Sequence, residues 1–241
     1  MAVAKIRLYV DQPLGRGQSV PLTDAQAHYL FGVMREGPGS RVLAFNGQDG
    51  EWLAEVSEAE KRKGLLVCVE QTLAQTGLPD LWLLFAPVKK ARTDFIVEKA
   101  VELGAARLLP VTTEFTNSDR LRVDRARAHV REAAEQCGGV NLPGVDEAQP
   151  LARLLSNWEA TRRILWADES QAGAAATIVG LTPGPWAILI GPEGGFSEAE
   201  RNRLRSLSFV VPISLGPRIL RAETAALAAL TLWQAQLGDW R

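Results

Sequence analysis

The apolar run Ala187-Ile188-Leu189-Ile190 breaks into Gly191-Pro192-Glu193-Gly194-Gly195, and Phe196-Ser197-Glu198-Ala199-Glu200 follows at once. A run this short and apolar reads as a buried strand. The glycines and the proline end it, and Ser197 with Glu200 forms a capping box that opens a helix. Strand, loop and helix in that order point to an α/β arrangement. Glycines at the carboxyl end of a strand let a ligand approach the backbone, and the helix start offers free amides. The same residues also suit a plain tight turn, and spacing alone leaves both readings open.

A second loop of this kind follows the next strand, Phe209–Ile213. It runs Ser214-Leu215-Gly216-Pro217-Arg218-Ile219-Leu220-Arg221-Ala222-Glu223-Thr224 into a helix over Ala225–Leu237. That helix carries Ala and Leu on nearly every side, so it belongs in a core or an interface. Two glycine-bearing loops after neighbouring strands favour a ligand at that end of the sheet. A solvated charged turn is the alternative for Arg218, Arg221 and Glu223.

The rest of the chain divides by texture. Residues 1–75 read as short strands and turns: Ile6–Val10, a helix over His28–Arg35, a hairpin of Arg41–Phe45 and Trp52–Val56 about Asn46-Gly47, and Leu65–Val69. Few helices and several short strands suggest a small β-barrel. Gln71–Asp80 reads as a linker within the join. Residues 76–241 alternate: strands at Leu81–Ala86, Leu108–Val111 and Ile164–Ala167, with helices at Phe95–Leu103 and Arg122–Gln136. This rhythm predicts an α/β domain with a mostly parallel sheet.

Composition excludes several classes. The 27 basic and 28 acidic side chains leave a net charge of −1, so the chain does not coat nucleic acid by bulk charge. Cys68, Cys137, His28 and His129 are too few and too scattered for a disulfide framework or a metal centre, which fits a reducing cytoplasm. No apolar stretch approaches the ~20 residues of a membrane span. The dinucleotide G-x-G-x-x-G, the P-loop and the G-x-S-x-G elbow are all missing.

The segments Leu189–Gly195 and Leu215–Ala225 together resemble the two diagnostic motifs of the RsmE family. These are bacterial methyltransferases that act on N3 of a uridine in small-subunit (16S) ribosomal RNA. The resemblance continues in Lys89-Lys90, Glu98-Lys99, Glu102-Leu103-Gly104 and Ala133–Cys137, and in Arg7, His28, Arg35 and Phe45-Asn46-Gly47. It implies a small PUA-like β-barrel followed by a SPOUT domain, α/β with a mostly parallel sheet, whose chain forms a trefoil knot and dimerises. Such knots bind S-adenosylmethionine in a bent shape, which would account for the missing dinucleotide motif. One departure stands out: the family carries an arginine close to where this chain has Gly138-Gly139-Val140-Asn141.

The resemblance also implies roles. Leu189, Ile190, Gly191, Pro192, Glu193, Gly194 and Gly195, with Leu215, Gly216, Ile219, Leu220 and Arg221, are the expected cofactor contacts. Arg221 and Arg218 are candidates for stabilising the uracil anion or gripping a phosphate. Glu193 or Glu223 either takes the N3 proton or orients an arginine. Lys89, Lys90 and Arg92 form a candidate RNA cluster, extended into the first domain by Arg7 and Arg35. Arg120 to Arg131 form a second basic run, diluted by Asp119 and Asp124. The implied partners are 16S ribosomal RNA, within an assembled small subunit, and a second copy of the chain meeting the Ala225–Leu237 helix. Two other readings remain at this point: a ribose 2′-O-methyltransferase on the same fold, and a non-catalytic RNA-binding protein with a vestigial pocket.

Overall fold

The computed structural model describes residues 6–117, 121–171 and 181–240. It divides into two units, residues 1–77 with 134–142 and residues 78–133 with 143–241.

The first unit holds β1 (Arg7–Tyr9), β2 (Ser19–Pro21), α1 (Asp24–Ala27), β3 (Arg41–Phe45), β4 (Glu51–Glu60) and β5 (Lys63–Leu73). The strands form one sheet in the order β1-β3-β4-β5-β2, with β1 and β3 parallel and the remaining pairs antiparallel. Val42, Ala44, Ala54, Val56, Leu66 and Cys68 fall on the inner face and join Leu8, Val20 and Leu30 in one core. Burial there pushes the Cys68 thiol pKa up. Thr23 and Gln26 form the capping box that starts α1. The helix then widens over His28–Val33 into a π-type turn and is left by Arg35 at a left-handed φ of 59°. Pairing of Gln71 and Leu73 with Trp52 and Glu51 carries β5 into the stretch read as linker. Cross-strand hydrogen bonding outweighs the polar composition there.

Arg7 is the tie of this unit. Its side chain is only 11% exposed and its Nε meets Glu51 at 2.7 Å. Nη1 donates to the carbonyls of Ala134 and Glu135, and Nη2 donates to that of Gly139 at 3.0 Å. The guanidinium also lies 4.5 Å from the centre of the Phe45 ring. Four of its five N–H donors are engaged in this way and little of the side chain is exposed, so Arg7 is a structural tie here and not the open RNA contact expected of it. The same bonds explain why residues 134–142 group with the first unit, where the division at residue 75 put them in the second. In the segment lacking the family's arginine, Gly139 serves Arg7, and Asn141 accepts from Gln75 at 2.6 Å.

The second unit is built on β6 (Leu81–Phe85), α2 (Lys90–Glu102), β7 (Arg107–Thr112), α3 (Val123–Cys137), β8 (Gly144–Val145) and β9 (Gln149–Pro150). It continues through α4 (Leu151–Ser156), β10 (Arg163–Ala167), β11 (Trp186–Ile190), α5 (Glu198–Ser206), β12 (Val210–Ile213) and α6 (Ala222–Leu237). The last turn of α3 falls in the first unit. The sheet order is β12-β10-β11-β6-β7-β8, β9 also pairs with β7, and every pair is parallel. Such a sheet is apolar on both faces, and every residue of β11 is buried. The α2 helix starts at Lys90, ahead of the Phe95 expected from sequence. Buried Thr93 brackets its start: its hydroxyl accepts from Val88 N at 3.0 Å and donates to Val88 O at 2.9 Å. In α6, buried Gln234 donates to the Leu103 carbonyl at 2.6 Å.

Among the described residues no helix is long and apolar enough to cross a membrane, and no cluster of ligating side chains could hold a metal ion. Arg7→Ala strands the nearly buried Glu51 carboxylate. The expected loss is about 3–5 kcal/mol of stability, read from the urea midpoint of the first unit's unfolding.

Candidate active site

Because β12, β10 and β11 are adjacent and parallel, their carboxyl ends open at one edge of the sheet. Three loops leave from there: Ala167-Asp168-Glu169, Ile190–Gly195 and Ile213–Arg221. They enclose an open-sided cavity of about 580 Å³, a size that suits a cofactor. Lys89 and Arg92, before and within the first turn of α2, complete the wall with Ala222 and Ala225 of α6.

Each loop is fixed by local chemistry. Asp168 is buried and accepts from Ser170 N, from Ser170 Oγ at 2.7 Å and from Arg205 at 3.0 Å. At the second loop, a Cβ on Gly191 would lie 2.6 Å from the Phe196 ring, which packs edge-on against Trp166 with centroids 5.7 Å apart. A Cβ on Gly194 would lie 3.1 Å from that of Phe115, and one on Gly195 would collide with the Glu169 carboxylate. These glycines are needed by neighbouring protein. Gly216 differs: its φ of 110° is left-handed and nothing lies within 4 Å of where its Cβ would be. Its bare face is open. In the third loop Gly216 N donates to the buried Ser214 hydroxyl at 3.2 Å.

The charges are unevenly matched. Arg92 pairs with Glu193 and reaches Glu223 at 3.4 Å, so one cation holds both acids. Glu223 leaves Oε2 buried with no hydrogen-bond partner among the described residues, and it does not line the cavity. Arg218 and Arg221 line it, are exposed, and have no carboxylate partner among the described residues.

Of the expected cofactor contacts, all but Leu189 line this cavity. Leu189 is 0% exposed and packs with Leu84, Ile164 and Trp166 in the sheet's core, because a central parallel strand buries both faces. Of the RNA cluster, Lys89 and Arg92 line the cavity and Lys90 lines a neighbouring one. Arg35 is exposed in the first unit. Sequence reasoning missed Ala167, Asp168 and Glu169, which carry no glycine. Their only signal is an acidic pair directly after an apolar strand. Of the second basic run, Arg120 lies outside the described residues.

Residues 76–234 match the RNA methyltransferase domain family and residues 22–67 match the RNA methyltransferase PUA domain. The chain is 28% identical to the ribosomal RNA small subunit methyltransferase E of Rickettsia conorii, over 93% of each chain. It is 32% identical to the protein of that name from Synechocystis, over 91% of this chain and 74% of the relative. The crystal structure of the Neisseria gonorrhoeae ribosomal RNA small subunit methyltransferase E bound to S-adenosyl methionine superposes with a TM-score of 0.87. It is 26% identical and covers 98% of this chain and 99% of its own. A Legionella pneumophila structure in complex with bound cofactor SAM gives a TM-score of 0.85 at 26% identity, with 98% and 100% coverage.

Gly191→Ala tests how the second loop is packed. The new methyl meets the Phe196 ring, so the expected result is a loss of about 1–3 kcal/mol, seen as a lowered midpoint in thermal denaturation.

Proposed function

The chain belongs to the RNA methyltransferase family and methylates small-subunit ribosomal RNA with S-adenosylmethionine as donor, and we propose that the atom it methylates is N3 of a uridine. The observation that supports this reading best is the pair of uncommitted arginines, Arg218 and Arg221, on a cavity built from glycine loops. The cavity fits the donor: its volume is adequate and the bare face of Gly216 leaves room beside the backbone. Ile190 to Gly195 and Leu215 to Leu220 would hold its adenosine part. S-adenosylmethionine supplies an electrophilic methyl group when bound.

Uracil N3 carries a proton, and its lone pair is delocalised into two flanking carbonyls. A site that methylates it must favour the deprotonated ring and hold the resulting charge on O2 and O4. In this reading Arg221, with Arg218, does that electrostatic work. Arg92, fixed by Glu193 and Glu223, presents a third cation whose own charge is already balanced. We assign Glu193 and Glu223 the positioning of Arg92 and not the removal of the proton. Lys89 and Lys90 are exposed in the second unit and supply the local positive field that a near-neutral chain needs to draw in RNA, and Arg35 is a separate exposed cation of the first unit.

The working form we propose is a cytoplasmic homodimer acting on the assembled small subunit. Ile219, 78% exposed on the cavity's lip, is an apolar side chain that a second copy would cover. On α6, Leu227 and Leu232 are half-buried in the single chain, whereas Leu230, Trp233 and Leu237 are already buried within it.

Nucleoside mass spectrometry of small subunits treated with the enzyme is expected to show N3-methyluridine; a 2′-O-methylated nucleoside instead would overturn the assignment. Arg221→Ala should lower turnover by about 10²–10³-fold with little change in thermal midpoint. Near-normal turnover in that variant would remove Arg221 from the mechanism. Sedimentation over a dilution series should show a dimer at micromolar concentration, and a folded, active monomer there would exclude the homodimer.

A further inference from the structure

A second cavity, of about 490 Å³, adjoins the first. The two share Lys89, Pro192, Glu193 and Gly194 as walls, so only the crest of the second loop separates them. Lys89, Lys90 and Arg92 are one cluster in the sequence. The structure sends Arg92 to the first cavity and Lys90 to the second, while Lys89 faces both.

The second cavity contains one aromatic residue, Phe115, and that ring is 40% exposed. It is nonetheless held firmly. Thr113 N donates to Thr116 Oγ1 at 2.8 Å and Thr116 N returns a bond to Thr113 O, which closes the turn beneath the ring. Glu114 N donates to Glu200 Oε1 at 3.0 Å, tying the turn to the start of α5. Gly194 has no side chain, and the Phe115 Cβ occupies that space. A bulky apolar ring fixed by its backbone and left open on its surface is arranged as a platform.

The charges around it favour an anion. Arg125 is taken by Asp94 at 2.7 Å, and Glu193 is taken by Arg92. Arg122 is held by an exposed pairing with Asp124 at 2.6 Å. Lys89 and Lys90 are exposed and have no carboxylate partner among the described residues. A ligand that meets a planar apolar face and two free ammonium groups is itself flat and negatively charged.

We infer that this second cavity receives one unstacked pyrimidine nucleotide of the RNA, its base lying on Phe115 and its phosphate directed to Lys90. The inference rests on the function proposed above and names the residues that would carry acceptor recognition. A base inside a stack exposes no face to a platform and no edge to a donor, so an enzyme that modifies a base takes it out of the stack. The shared crest at Pro192–Gly194 sets the bound base beside the cofactor cavity, with its reacting edge directed across the crest to the side lined by Arg218 and Arg221. Phe115 and Lys90 then position the acceptor, and neither touches the cofactor's cavity.

The test uses the full chain loaded with S-adenosylhomocysteine and uridine 5′-monophosphate as the probe, with binding read by saturation-transfer NMR. Phe115→Ala is expected to weaken the probe about tenfold, Phe115→Tyr to keep it within about threefold of the parent because the ring face is retained, and Lys90→Glu to weaken it at low salt. S-adenosylhomocysteine affinity, measured by calorimetry, should stay within about twofold in all three variants. Equal probe binding by the parent and Phe115→Ala overturns the inference. So does a parallel loss of both ligands in Phe115→Ala, which would make Phe115 a buttress of the Gly194 loop and nothing more. The nucleoside assay keeps the two readings apart. Detection of N3-methyluridine with a probe indifferent to Phe115 sinks this pocket alone. Another methylated nucleoside with a Phe115-dependent probe sinks the N3 assignment and leaves the pocket standing.

Discussion

The site depends on side chains that are not there. Gly191, Gly194 and Gly195 lie in one loop, and each bare Cα is filled from a different direction: by the Phe196 ring, by Phe115 and by Glu169. Close packing leaves no spare volume in such an arrangement. A loop that would otherwise be free to move is thereby pinned by the residue that leads into α5, by the turn after β7 and by the turn after β10. The cavity owes its walls to this three-sided contact, and the ligand inherits a backbone already in place, so less ordering has to accompany binding. Gly216 plays the opposite part, since its freedom faces open space.

Much of this architecture was legible in the chain. Alternating apolar runs and helical stretches gave the parallel sheet, and the Ser197–Glu200 box gave the start of α5. The two glycine loops were found because glycine next to a buried strand is a strong local signal. Other features were not legible. Ala167 to Glu169 enter the cavity because β10 lies between β11 and β12, and strand order is a non-local property. Leu189 lies within the first motif but points into the core, since motif membership does not say which face a residue takes. Arg7 looked like a surface cation. Its carbonyl partners lie more than a hundred residues away in sequence, and no local pattern announces them.

Net charge conceals the electrostatics of this protein. The total of −1 comes from a chain in which most acids near the site already have an arginine. What remains is a small set of cations without partners, Arg218 and Arg221 on one side of a loop crest and Lys89 and Lys90 towards the other. Local bookkeeping of pairs therefore says more about the ligand than the sum over the sequence does.

Finally, the first unit is not a continuous stretch of chain. The carbonyls that hold Arg7 arrive with residues 134–142, after α3 has begun in the other unit. Cutting at residue 77 would release a fragment with a buried cation missing three of its acceptors. The β-rich unit is thus a poor cassette: a recombination event that carried it alone into another protein would leave behind part of what holds it together.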